Sequence, residues 1–308
     1  MQDQPVSLVG SRGIHEELSK SLLRRGVRPM TDAGSHPRVS ALLVAAVPIL
    51  SLLTAAQEKK EFRYTVGPRA IVSITNNYGA ITVKPSGNNQ VVATTVSYSD
   101  AVTFENEQRG NRIEFRASSG RQGSNLADYT VVVPADAFVS VRSSDGKVHA
   151  QGLHGDVVLE GATGTVEATD INSAHLHVKT LSGQVSLTNI HDSHVDVHSV
   201  SGNVDIRNVS GSSLEVNSGS GRIRYEGDPG PAGEYLFTTH SGDLEVSIPA
   251  SAPVEIKAHS LKGESDQGLP SPGGLSAAGQ NSLLKPGIMN ASRFVLRSFR
   301  GRIHVKRP

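Results

Sequence analysis

Neither cysteine nor tryptophan occurs among the 308 residues, and only 4% of them are aromatic. Without cysteine there is no disulfide framework, no zinc finger, no iron–sulfur cluster and no thiol nucleophile. Few aromatics alongside 31 glycines argue against one large globular core and fit many short strands joined by tight turns. A surplus of one charge is lacking too: 30 Lys and Arg against 29 Asp and Glu leave a formal +1. A nucleic-acid binder wants a strong positive excess, so nucleic acid is not an expected partner. The chain also carries no phosphate loop, dinucleotide fingerprint or zinc-protease motif.

Long hydrophobic runs are nearly absent. The one strongly apolar run, 41–53, is thirteen residues long, short of the roughly 20 that span a bilayer comfortably. Arg38 precedes it, and Thr54-Ala55-Ala56 follows, with small residues at −3 and −1 of a cut before Gln57. This is the pattern of an export signal. Residues 30–56, starting at Met30, are expected to be that signal or an N-terminal anchor. Residues 1–29 then read as an upstream start or an unusual extension, and 57–308 as the exported domain. A buried core helix is the alternative for 41–53, but no amphipathic period flanks the run. The expected location is the periplasm, cell envelope or cell surface. No helical membrane span is expected in the mature chain unless the signal stays uncleaved.

What the chain does have is a repeat. Ser182-Gly183-Gln184-Val185-Ser186-Leu187, Ser201-Gly202-Asn203-Val204-Asp205-Ile206, Ser220-Gly221-Arg222-Ile223-Arg224-Tyr225 and Ser241-Gly242-Asp243-Leu244-Glu245-Val246 align. Asp145-Gly146-Lys147-Val148 and Thr163-Gly164-Thr165-Val166 belong upstream, with a possible early copy around Gly79 and an outlier around Gly301. From Gly146 to Gly242 the steps are 18, 19, 19, 19 and 21 residues. A second strand per unit shows in Val157/Leu159, Leu176/Val178, Val195/Val197, Leu214/Val216 and Leu236 with its neighbours Tyr235 and Phe237. Ile171, Ile190 and Val209 form a third apolar column, and Asn189 and Asn208 before two of them suit a corner.

Strict alternation gives each strand one inward face. A single rung cannot bury that face, whereas rungs stacked about 4.8 Å apart bury a continuous column. A glycine at a fixed place in each rung implies φ > 0 or a close backbone approach. A meander of antiparallel hairpins is the competing arrangement, and the constant step favours stacking. The predicted fold is all-β, a β-solenoid of the parallel β-helix kind with rungs of about 19 residues, regular over 144–246. Glycine alignment sets Asp205 and Glu245 beside Arg224, Arg207 beside Glu226, and Arg222 beside Asp243, opposite charges that favour this register.

A less regular β-rich part precedes the rungs, with strands expected at 70–75, 79–84, 90–97, 112–117, 128–133 and 138–142. Residues 262–292, rich in Gly, Pro and Ser, read as a mobile loop, with closing strands at 293–298 and 301–306. The parts at 62–142 and 293–306 are the expected end caps against edge pairing, so a monomer is predicted.

Tyr129-Thr130-Val131-Val132-Val133-Pro134-Ala135-Asp136-Ala137, then Val139-Ser140-Val141, then repeated Ser-Gly-x-Val-x-Leu/Ile units resemble the bacterial "putative adhesin" family, whose members carry domain of unknown function 4097. The resemblance covers roughly 70–306. It implies an exported or envelope-attached β-strand repeat protein and brings no catalytic residues with it.

Histidine is the unusual reactive type, with His175, His177, His191, His194 and His198 within 24 residues. The register sets His175, His177 and Lys179 outward on one rung, His194, Asp196 and His198 on the next, then Ser213, Glu215 and Asn217. His175, His177, His194, Asp196 and His198 are thus a candidate patch for Zn²⁺ or Cu²⁺. A solvated polar face is the plainer reading, so no metal and no cofactor is expected. A pH-dependent charge on this face is a second possibility.

Ser182, Ser201, Ser220 and Ser241 recur at one place per rung, which reads as turn hydrogen bonding rather than catalysis. Compact rungs, dispersed acids and scarce aromatics count against a polysaccharide-active β-helix enzyme. The expected function is non-enzymatic binding or scaffolding in the envelope, through an extended face at 175–179, 194–198 and 213–217. The ligand would be an unidentified glycan or protein. A sensor working with a separate membrane protein is the alternative.

Overall fold

The computed structural model describes residues 58–119, 126–263, 265–266, 281–283 and 290–308. The segments expected at 1–29 and 30–56, and most of the expected 262–292 loop, lie outside the described residues. The described residues are all-β. In chain order the first strands are β1 (Glu58–Thr65), β2 (Ile71–Tyr78), β3 (Ile81–Ser86), β4 (Gln90–Ser97), β5 (Val102–Arg109), β6 (Arg112–Ser119) and β7 (Ala127–Pro134). The regular rungs follow as β8 (Phe138–Asp145), β9 (Val148–Gln151), β10 (Val157–Gly161), β11 (Val166–Asn172), β12 (His175–Thr180), β13 (Val185–His191), β14 (His194–Ser199), β15 (Val204–Val209), β16 (Ser213–Ser218), β17 (Ile223–Glu226), β18 (Glu234–Thr239) and β19 (Leu244–Ser247). The last are β20 (Val254–Ser260), β21 (Ser265–Asp266), β22 (Asn281–Leu283), β23 (Ser292–Ser298) and β24 (Ile303–Lys306).

Each rung gives one strand to each of two 12-stranded sheets. The even-numbered strands from β8 to β18 build the second sheet and the odd-numbered ones from β9 to β19 the first, all paired in parallel. The register follows the repeat, with Val185 opposite Val204 and Val195 opposite Leu214. The protein is therefore a β-solenoid. Its core is two facing aliphatic stacks: Val166, Val185, Val204, Ile223 and Leu244 against Leu159, Val178, Val197 and Val216, none more than 1% exposed. In β18 the inward residues are Tyr235 and Phe237, and Leu236 turns outward. That corrects the expected phase, which alternation could not set across three successive apolar residues.

Two corners join the sheets. At the first, the repeated glycines approach one another closely. A Cβ on Gly183, Gly202, Gly221 or Gly242 would lie 1.9, 1.9, 1.9 or 2.0 Å from the carbonyl oxygen of the glycine one rung earlier. Close approach, rather than positive φ, is what selects glycine there. A buried hydroxyl three residues before each glycine ties the turn: Thr180 and Ser199 donate to the carbonyls of Gly183 and Gly202 at 3.2 and 2.9 Å. The recurring serine beside the glycine is also structural, with the Ser201 hydroxyl donating to the Leu181 carbonyl at 3.2 Å. At the second corner Asp170, Asn189 and Asn208 take φ of 55°, 54° and 52°, a region that Asn and Asp tolerate. Their side chains form a ladder: Asn208 Nδ2 donates to Asn189 Oδ1 at 2.9 Å, and Asn189 Nδ2 to Asp170 Oδ1 at 3.1 Å.

At both ends the spatial order departs from the chain order. The first rung, β2 with β3, lies between the rung β6–β7 and the rung β8–β9. The last rung in sequence, β23 with β24, lies between β18–β19 and β20–β21. The strands at 293–306 are consequently not the cap expected of them. They are an inserted rung, and β20, β21 and β22 lie outside it. Two short strands also occur within the segment expected to be only loop. At the other end β1, β4 and β5 pair antiparallel and cover the sheet edges. β1 and β5 are largely exposed and charged, which discourages further pairing.

An aromatic cluster fills the core at the inserted rung. Phe294 stacks on Tyr235 with ring centroids 4.5 Å apart and meets Tyr225 edge-on at 5.6 Å. The Tyr225 hydroxyl donates to the Val209 carbonyl at 2.9 Å, and that of Tyr235 to the Pro229 carbonyl. Burial pushes the Tyr235 phenol up to about 12 and raises those of Tyr129 and Tyr225 as well. The folded state thus holds these phenols neutral above the unfolded value near 10. Their contribution is complete below that pH and is lost as pH rises through the folded values. The urea midpoint should therefore fall steeply above about pH 10, and Tyr225→Phe should soften that fall.

Candidate binding face on the second sheet

β12, β14 and β16 lie side by side because each opens one rung later in the repeat. His175, His194 and Ser213 fall in one outward column, His177, Asp196 and Glu215 in the next, and Lys179, His198 and Asn217 in the third. The predicted grouping is what the structure brings together. Inward Leu176, Val178, Val195 and Val197 hold these strands to the core, so the outward side chains stand on a rigid support.

The contacts are pairwise. His177 Nδ1 lies 2.8 Å from Asp196 Oδ2, and His198 Nε2 lies 3.1 Å from Asp196 Oδ1. Asp196 Oδ1 is shielded from solvent, and its contact with His198 is not an aligned hydrogen bond. Asp196 is therefore clamped between two imidazoles from neighbouring rungs. His175 takes a partner that the sequence reading did not name: its Nδ1 lies 3.0 Å from Asp156 Oδ1, an oxygen that also accepts the His175 backbone N–H at 3.3 Å. Asp156 is 19 residues before His175, so the repeat step was the signal that could have found it. The His175 and His194 rings are 5.7 Å apart.

No three His, Asp or Glu side chains among the described residues are placed to hold one metal ion. The imidazole nitrogens of His175, His177 and His198 instead meet carboxylate oxygens. His191 lies at the second corner, away from this patch, with Nδ1 2.8 Å from Ser210 Oγ. The register of the opposite charges also holds, with Asp205 and Glu245 flanking Arg224. The ion pair of Arg224, however, is with Glu226 in its own strand at 3.2 Å.

The sequence profile of the Toastrack family, DUF4097, matches residues 71–275. The chain belongs to this family. No curated protein matches the chain. Among solved structures, this Toastrack chain is similar to a "putative adhesin" from Bacteroides fragilis, at 12% identity over 82% of this chain and 98% of that one, with a TM-score of 0.48. A "putative cell adhesion protein" from Clostridium sporogenes is 14% identical over 82% and 100% of the two chains, with a TM-score of 0.29. A "putative lipid binding protein" from Parabacteroides distasonis is 9% identical over 80% and 96%, with a TM-score of 0.39.

Beside the histidine columns the Toastrack domain carries a shallow groove of about 690 Å³, running along the glycine corner. Its walls include Arg142, Glu160, Lys179 and His198 on the sheet and Ala162, Leu181 and Val200 on the corner. Arg142 Nε pairs with Glu160 Oε2 at 2.6 Å. Exposed Leu181 and Val200 gave no signal in the repeat, because a corner residue belongs to neither strand's alternation.

Proposed function

We propose that this Toastrack protein is an exported envelope protein that works without turnover, as a rigid rod whose second sheet binds or scaffolds an envelope or surface component. The observation that carries this reading is the register of nine outward residues on β12, β14 and β16, seven of them His, Asp, Glu or Lys. Equivalent positions repeated at about 4.8 Å intervals suit an extended partner that makes many modest contacts, whose strengths combine. Three of the four imidazoles on this face, those of His175, His177 and His198, are paired with carboxylates, an arrangement that orders a surface rather than activating a nucleophile.

The test is the double variant Asp196→Lys with His177→Glu, which puts a cation in place of the central carboxylate and a carboxylate in place of its imidazole partner and leaves the inward residues alone. Binding to isolated envelope material should fall roughly tenfold or more, as expected when a few central contacts dominate an interface, with the melting temperature close to that of the parent. Unchanged binding would remove this face as the binding surface. Protease shaving of intact cells would then separate a surface location, where the domain is released, from an enclosed one, where it is protected.

A further inference from the structure

The most apolar exposed feature lies beside this face, on the glycine corner. Among the described residues four large apolar side chains are exposed, and Leu181, Val200 and Leu261, at 55%, 57% and 59%, are three of them. All three occupy one position in the repeat, directly after the aligned Thr180, Ser199 and Ser260. Phe299 fills the same position after Ser298, and its ring stacks on His240 with centroids 4.9 Å apart. With Ala162 at the other end, and with Gly219 and His240 at the two positions between Val200 and Phe299, these residues form a row, the crest of this corner, crossing seven rungs, about 29 Å long at ~4.8 Å per step.

Cations flank the crest. Lys179 and Arg297 stand two residues before it on the second sheet, and Arg300 and Lys262 stand one residue past it. Lys262 Nζ and Arg300 Cζ lie 5.2 and 5.8 Å from the centre of the Phe299 ring. None of the four forms an ion pair among the described residues. Glu160, the acid in the adjoining groove, is already held by Arg142. The inserted rung supplies much of this charge: residues 292–308 hold six Lys and Arg and no Asp or Glu, although the whole chain is nearly neutral.

We infer that the glycine corner is a docking edge that lies on an anionic phospholipid surface. The Leu181, Val200, Phe299 and Leu261 side chains of this row gain by leaving water for the acyl boundary, and they offer a polysaccharide no hydrogen bond. Lysine and arginine beside them sit at headgroup level, where each cation adds attraction to anionic lipid. Charge and apolarity therefore point to the same occupant. This edge borders the histidine columns and shares Lys179 with them, but its apolar row and the other three cations lie outside the face proposed above.

The absence of cysteine allows a direct test in the full chain. Leu181→Cys and Leu261→Cys would each carry one polarity-sensitive dye, with Ser186→Cys, outward on the first sheet, as the reference. Vesicles of equal phosphatidylglycerol and phosphatidylcholine should shift both crest dyes to the blue, and the reference dye should not respond. Vesicles of phosphatidylcholine alone should leave all three unchanged. Lys179→Glu, Arg297→Glu and Arg300→Glu together should weaken the affinity read by the Leu181→Cys dye by roughly tenfold or more, and raised ionic strength should weaken the unreversed chain likewise. An equal shift at the reference position would overturn the inference, since another segment would then hold the vesicle. So would an equal response to neutral vesicles, or an affinity indifferent to both charge reversal and salt.

Discussion

Gly202→Ala should lower stability by roughly 2–4 kcal/mol, an overpacking cost at the upper end of what one methyl can impose. The added Cβ would lie 1.9 Å from the Gly183 carbonyl oxygen and 2.8 Å from its carbon. Neither is the far end of a flexible side chain. Both rungs are held by the ladder, with the Ser201 N–H on the Leu181 carbonyl and the Val185 N–H on the Asn203 carbonyl, each at 2.9 Å. Relief requires the two rungs to separate locally, which stretches those bonds and opens the aliphatic stack beneath. Gly87→Ala is the matched control, because a Cβ there meets nothing within 4 Å. Urea midpoints would decide the matter. If both substitutions cost the same, close stacking is not what holds glycine at this position.

Phe294→Ala should cost about 3–5 kcal/mol, as expected for emptying a fully buried aromatic site. Phe294 is 0% exposed, and its ring contacts Tyr225, Tyr235 and Phe237 with centroid distances of 5.6, 4.5 and 6.2 Å. The neighbouring rings are themselves confined by the sheets, so the cavity cannot collapse far. The effect should also be uneven along the rod. β23 is the strand on which β20 pairs, so amide exchange should accelerate in Val254–Ser260 more than in His175–Thr180. Loss of global stability with unchanged protection in Val254–Ser260 would show that the inserted rung does not clamp its neighbour.

Much of the candidate face was legible because a solenoid turns sequence spacing into spatial adjacency. A 19-residue step sets His175 beside His194 and His177 beside Asp196, and the observed register agrees. The strands β2, β3, β4, β6, β7 and β8 were legible for the same kind of reason, since each has apolar alternation. β1 and β5 were not. Glu58-Lys59-Lys60-Glu61 and Glu105-Asn106-Glu107 offer no apolar stripe, and these segments become strands by pairing along an existing edge. The crest on the glycine corner escaped notice because Leu181 and Val200 acquire a common direction only when rungs stack.

By itself, then, the order of residues determined the rung: its length, its inward and outward faces, its glycine corner and its asparagine corner. These are local consequences of backbone sterics and of a period-two apolar pattern. The order of rungs at the two ends was decided by tertiary structure. The copy around Gly301 is recognisable by its motif, yet nothing local says that it stacks between Gly242 and Gly263, where a Cβ on Gly301 would lie 1.8 Å from the Gly242 carbonyl oxygen and one on Gly263 would lie 2.2 Å from that of Gly301. The choice rests on contacts distant in sequence, above all Phe294 closing over Tyr235 and Tyr225. Only the assembled core can satisfy these, and they bring the final rung inside the penultimate one.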